Sequence, residues 1–84
     1  MESNEIVKAQ ILEIVKNQLE SNNPPETKTT YERLKREGYN DSQAKQMIGQ
    51  CVSVELFDIL KYGKSFDDIR YVYNLSKLPE EPFD

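Results

Sequence analysis

The side chains that do most chemistry at neutral pH are nearly missing from this sequence of 84 residues, which has no histidine and one cysteine, Cys51. Histidine is the commonest metal ligand and the readiest general base near pH 7. A thiol reacts as its thiolate, and Cys51 has no imidazole to help form one. It sits among Ile48, Val52 and Val54, where a lone cysteine behaves as a small hydrophobe. No serine, lysine or carboxylate falls in a catalytic motif. Oxygen ligands alone hold soft or borderline metals poorly. The sequence therefore predicts no catalytic residue, no cofactor and no bound metal.

What remains is suited to contact. Gln43, Gln46, Gln50, Ser53 and Phe57 fall on one narrow stripe at helical spacing. The plain reading of such a stripe is a solvated seam, since polar residues on helices are mostly exposed. The sharper reading is a polar cleft or partner surface closed by Phe57. Lys8, Leu12 and Lys16 follow one another at four-residue spacing, and lysines placed so usually lay their stems on apolar surface. Lys28, Arg33, Lys35 and Arg36 alternate with Glu32 and Glu37, the pattern of a solvated face with local ion pairs. Phe83 is an aromatic in an acidic tail, with reason to dock somewhere. The candidate interaction surface is thus Gln43, Gln46, Gln50, Phe57 and Phe83.

Four helices can be read to carry these residues. The first, from about Asn4 to Ser21, has Val7, Ile11, Ile14, Val15 and Leu19 on one arc that Leu12 widens. Asn22-Asn23-Pro24-Pro25 stops it, and Pro25 suits the first turn of the second. That second helix has few apolar anchors, chiefly Tyr31 and Leu34, so it is expected to be the least buried and most mobile. Gly38 can take a left-handed cap. Asn40 with Gln43 gives a variant capping box for the third helix, which runs to about Tyr62. Its apolar residues cover nearly the whole circumference, which predicts a central helix with Cys51, Ile48, Val52 and Ile59 in the core. Gly49 permits close approach by a neighbour. Gly63 ends the helix, and Ser65 with Asp68 suggests a cap for a fourth, from about Phe66 to Lys77, that buries Ile69, Val72 and Leu75.

The fold expected is therefore all-α, a small orthogonal or up-down bundle of about four helices with the third central. One domain spans 1–78, and an acidic, proline-containing tail, expected to be poorly ordered in an isolated monomer, spans 79–84. Hydrophobic residues make up 37% and charged residues 31%, an ordinary globular balance. The net charge is −4, of which Glu80, Glu81 and Asp84 carry three, leaving about −1 for the body. A near-neutral body offers no general attraction to phosphate backbones. The helix–Gly turn–helix outline from Leu34 to Ile48 also lacks a basic second helix able to read bases. No apolar run is long enough for a membrane. The acidic start and single thiol suit a reducing cytoplasm.

Three strings, ILEIVKNQLESNNPPETKTTYERLKREGY, AKQMIGQCVSVELFDILKYGKSFD and YVYNLSKLP, resemble together a family of small uncharacterised bacterial helical proteins, a domain of unknown function. It is also found as the C-terminal half of a longer uncharacterised bacterial family. The shared marks include Asn17-Gln18, Pro24-Pro25, Gly38-Tyr39, Ile48-Gly49, Glu55 and Phe57. The resemblance implies a fold. It also implies histidines in relatives at the positions of Lys8, Leu12 and Gln46, and an acidic residue at that of Lys16, a set resembling a metal site. This sequence departs at all four positions. The function expected is a protein-interaction module without catalytic activity, acting on an unknown protein partner or by self-association. A degenerate member of a family whose relatives carry a His-based metal site comes second. A nucleic-acid-binding regulator using the basic end of the second helix comes third.

Overall fold

The computed structural model describes residues 2–82, with side chains from residue 5; Phe83 of the candidate surface lies outside the described residues. Four helices fill that span: α1 (Glu2–Ser21), α2 (Pro25–Arg36), α3 (Asp41–Tyr62) and α4 (Asp68–Lys77). Helix α3 packs against each of the others, and α2 also packs on α1 and α4. The protein is an all-α bundle with a central third helix.

Local sequence explains most boundaries. Asn22 turns the chain out of α1 with a left-handed φ of 54°, a conformation asparagine tolerates. Pro25 opens α2 as its first residue. Tyr39 N–H donates to the Leu34 carbonyl beyond Gly38 at φ 104°, closing the helix end. Asn40 and Gln43 form the reciprocal capping box at α3, and Gly63 ends that helix at φ 66°.

The fourth helix starts later than its sequence suggests. Its cap is Asp67, whose carboxylate accepts from Arg70 N–H, rather than Ser65. The cause is tertiary. The Asp67 N–H is held at 2.9 Å by Glu55 Oε1, and Phe66 leaves the helical path to pack edge-on against Tyr71 at 5.2 Å. The buried face of α4 is accordingly Tyr71, Asn74 and Leu75, with Val72 half-buried and Ile69 85% exposed.

The core joins Val15 of α1, Leu34 of α2, Ala44, Ile48, Cys51 and Val52 of α3, and Tyr71, Leu75 and Leu78. Two further expectations need correction. Ile59 is only half-buried and lies outside this cluster, in the last turn of α3, where Leu60, Lys61 and Tyr62 are exposed. Helix α2 is not a loosely attached element, since Thr27, Thr30 and Leu34 are all buried. Its threonines are short enough for close packing, and the Thr27 hydroxyl contacts Gln18 Oε1 at 2.8 Å and the Tyr71 hydroxyl at 3.1 Å. Tyr71 also donates to Gln18 Oε1 at 2.6 Å. Two hydroxyl protons serve these three contacts, so α1, α2 and α4 meet at one shared polar knot.

Arg33 provides a second tie. Its guanidinium donates to the Leu75 and Leu78 carbonyls, each at 3.1 Å, so that on Leu75 it joins the Leu78 N–H, which donates to the same oxygen at 3.2 Å. Beyond it the chain follows the bundle surface: Leu78 is buried, Glu80 N–H bonds the Lys77 carbonyl at 2.9 Å, and Pro82 is half-buried.

Candidate functional site

The principal concavity runs between α1 and α3. It exists because Gly49 brings the helices together: a Cβ there would meet Ile11 Cγ2 at 3.1 Å. Along this seam lies a groove in two sections joined at Val7, Ile11 and Ser53. The first, of about 350 Å³, has Val7, Lys8 and Ile11 on one wall and Gln46, Gln50 and Ser53 on the other, with Gly49 between them. The second, of about 580 Å³, continues past Ser53 between Val7, Ile11 and Ile14 on one side and Leu56, Phe57 and Leu60 on the other.

Three apolar side chains that line this groove are left open to water. Val7 is 48% exposed, Phe57 49% and Leu60 81%. Val7 belongs to the arc that the first helix was expected to bury, yet α3 meets that arc chiefly at Ile11, Ile14 and Val15. The far end of the groove carries aromatics and lysines. Phe57 and Tyr62 meet edge-to-face at 6.4 Å. Lys61 Nζ lies 5.1 Å from the Phe57 ring centroid and 5.4 Å from that of Tyr62. Lys8 at one end and Lys61 at the other place positive charge along the groove, with Glu13 the carboxylate that lines it.

The expected interaction stripe lines a run of adjoining recesses along α3. Gln46, Gln50 and Ser53 do form a wall of the groove, and Phe57 lines its apolar section. Gln43 lies outside the groove's first section but lines an adjoining recess with Gln46 and Gln50, beside Tyr39 and Met47, while its side chain accepts from Asn40 N–H at 2.9 Å and caps α3. The groove is also more apolar than a row of glutamines suggests, because α1 supplies the opposite wall.

No family model, no curated protein and no solved structure matches this chain. Its functional reading rests on its own residues.

The remaining clusters of chemical groups are occupied in holding the fold. Glu55, fully buried, accepts from Arg70 Nε at 2.7 Å and from the same guanidinium at 3.1 Å, and Asp58 accepts from it at 2.7 Å. These bonds, first to Glu55 and then to Asp58, hold Arg70 still more firmly protonated than usual. Burial, with the Glu55 carboxylate adding, pushes the Cys51 thiol up to about 12, which makes it a poor nucleophile. Burial likewise pushes the Tyr71 phenol up to about 12. Among the described residues no three His, Cys, Asp or Glu side chains converge as a metal site, and no helix is long and apolar enough to cross a membrane.

Sequence reasoning missed the α1 wall of the groove and the Arg70 cluster. For the cluster, the available signal was Glu55 and Asp58 three apart inside the most apolar helix, which calls for a cation from another element.

Proposed function

We propose that the chain is a protein-interaction module, and that the α1–α3 groove receives a short partner segment with a bulky apolar or aromatic anchor beside carboxylates. The observation that carries this reading is the continuous open apolar surface of Val7, Phe57 and Leu60 bordered by Lys8 and Lys61. Contiguous exposed apolar surface with a charged rim is the usual mark of a docking site. Anchor residues entering such pockets supply most of the affinity, and the lysines select acidic neighbours and speed encounter.

Selection from a random displayed peptide library on the full chain tests this. Enriched peptides should pair an aromatic or large aliphatic residue with Asp or Glu, and Leu60→Asp should abolish their binding while leaving the helical spectrum intact. Peptides that bind Leu60→Asp and Val7→Asp as well as the parent protein would overturn the reading.

A second reading follows from the resemblance to small bacterial proteins with an implied histidine site, which also favours a bacterial cytoplasmic setting. Lys8 and Gln46 border the same groove section, and Leu12 Cδ2 lies 4.0 Å from where a Cβ on Gly49 would be. The positions where the resemblance puts histidines are therefore neighbours. Here they offer an ammonium, an amide and an alkyl group, so the groove suits an anchor side chain rather than a metal. One equivalent of zinc, iron or nickel in the purified protein would reverse that order. Nucleic-acid binding ranks third, since Arg33 of the basic cluster is engaged with the end of α4.

A further inference from the structure

We infer that the segment this groove receives is the outer face of α4 from a second copy of the chain, with Ile69 and Tyr73 entering its apolar section and Asp67 and Asp68 beside its lysines. The inference rests on the reading of the groove as a docking site for an anchor with adjacent carboxylates, and it names that anchor.

The first support is the chemistry of α4. The helix buries Tyr71, Asn74 and Leu75, while on its other side Ile69 is 85% exposed and Tyr73 46%. Four residues apart, these two stand side by side on one helix face. Directly before them come Asp67 and Asp68, both exposed. Glu5 and Ile6 are also exposed, but they adjoin Val7 in the groove's own wall and bring no aromatic.

The second support is charge. Lys8 lines the groove and Lys61 stands over its Phe57, opposite in sign to Asp67 and Asp68. The pairing also runs the other way. Lys77, with Nζ 5.4 Å from the Tyr73 ring centroid, is the cation at the far end of the α4 face, and Glu13 is the carboxylate of the apolar section. Complementary charges of this kind set register and exclude wrong partners.

The third support is size. The walls from Val7 to Ile14 and from Ser53 to Leu60 each run about two helical turns, ~10 Å, against ~6 Å between Ile69 and Tyr73. The apolar section, of about 580 Å³, is in the range that takes a cluster of apolar groups. The groove belongs to α1 and α3 and the anchors to α4, so one copy presents both surfaces at once. Such a contact is head-to-tail and builds rings or chains. Few side chains take part, which puts it in the weak, transient class, with a Kd on the order of 0.1 mM.

Sedimentation of the full chain from about 10 μM to about 2 mM tests this across the expected Kd. The parent should pass from monomer to larger species. Leu60→Asp, which spoils the groove, and Ile69→Asp, which spoils the anchor, change residues 81% and 85% exposed, so both should keep the parent's helical spectrum and melting temperature. Each alone should stay monomeric. Mixed, they should form a one-to-one dimer and nothing larger, because Leu60→Asp still offers an intact α4 face and Ile69→Asp an intact groove. Association lost in only one of the two variants, or no dimer on mixing, would overturn the inference in favour of like surfaces meeting. A parent monomeric throughout would also overturn it, and would leave the docking function standing if groove-selected peptides still bind. The mixed dimer together with no peptide binding to Ile69→Asp would uphold the second copy as occupant and sink the reading of the groove as a site for short segments.

Discussion

Replacing Arg70 by methionine should expose how much of the fold depends on one cation. Glu55 is fully buried and Asp58 is 7% exposed, and the Arg70 guanidinium serves both carboxylates at 2.7–3.1 Å. Methionine keeps much of the side-chain volume and removes the charge. Two carboxylates one turn apart on α3 would then face a site with no cation. Removing one partner of a buried pair costs ~3–5 kcal/mol. The Arg70 side chain is 23% exposed, so water can reach part of the vacated site, and the loss expected is about 2–4 kcal/mol. For a domain of this size that lowers the melting temperature by roughly 10–25 °C. Urea titration followed by helical circular dichroism measures it directly. The double variant Glu55→Gln, Arg70→Met should recover more than half the loss. It removes the charge of the more deeply buried carboxylate and leaves only Asp58, 7% exposed, without its cation, while the amide oxygen that replaces the Glu55 carboxylate can still accept from Asp67 N–H. A loss below ~1 kcal/mol in the single variant, or no recovery in the double, would refute the reasoning.

Other outcomes follow from the same packing. Ile48→Ala should cost ~2–5 kcal/mol, whereas Ile59→Ala, on the half-buried end of α3, should cost less than ~1.5 kcal/mol; equal losses in denaturant titrations would contradict the core assignment. Folded Cys51 and Tyr71 hold their protons to about 12, against ordinary values of 9.0 and 10.0. Both are raised, so their contributions are complete below pH 9 and withdraw as pH climbs from 9 towards 12. Stability should hold to about pH 8.5 and decline above it, less steeply in Cys51→Ala, and a flat profile to about pH 10.5 would rule this out. Gly49→Leu should force α1 from α3 and destabilise by ~1–3 kcal/mol, whereas Gly49→Ala, with helix propensity gained against one 3.1 Å contact, should stay within ~1 kcal/mol of the parent.

The element order was legible because the punctuation is local. Pro24-Pro25, the Asn40–Gln43 box and Gly63 act within a few residues of the boundary they set, and a single sequence carries that information. The α4 start was not legible, since Asp67 competes with Ser65 as a cap and Glu55, twelve residues away, decides the outcome. The same holds for faces. Tyr71 is buried and Ile69 exposed because Gln18 and Thr27 stand ready for the phenol hydroxyl, and such partners are invisible to hydrophobic spacing. Helix α2 misled for a related reason, its threonines being weak helix formers whose hydroxyl and small size serve a tertiary contact. Half of the candidate groove could be read, since Gln46, Gln50 and Phe57 share a helix. The α1 wall could not, because which part of an apolar arc stays open depends on where Gly49 sets the crossing.

The docking role of the α1–α3 groove is tested most directly by a two-dimensional NMR titration of the labelled protein with a library-selected peptide bearing one aromatic residue among carboxylates. Shifts should concentrate in residues 7–14 and 46–60, saturate with one equivalent and be lost in Leu60→Asp. Shifts centred instead on Lys28, Lys35 and Arg36 of α2, or undiminished in Leu60→Asp, would contradict the assignment of that groove as the working surface.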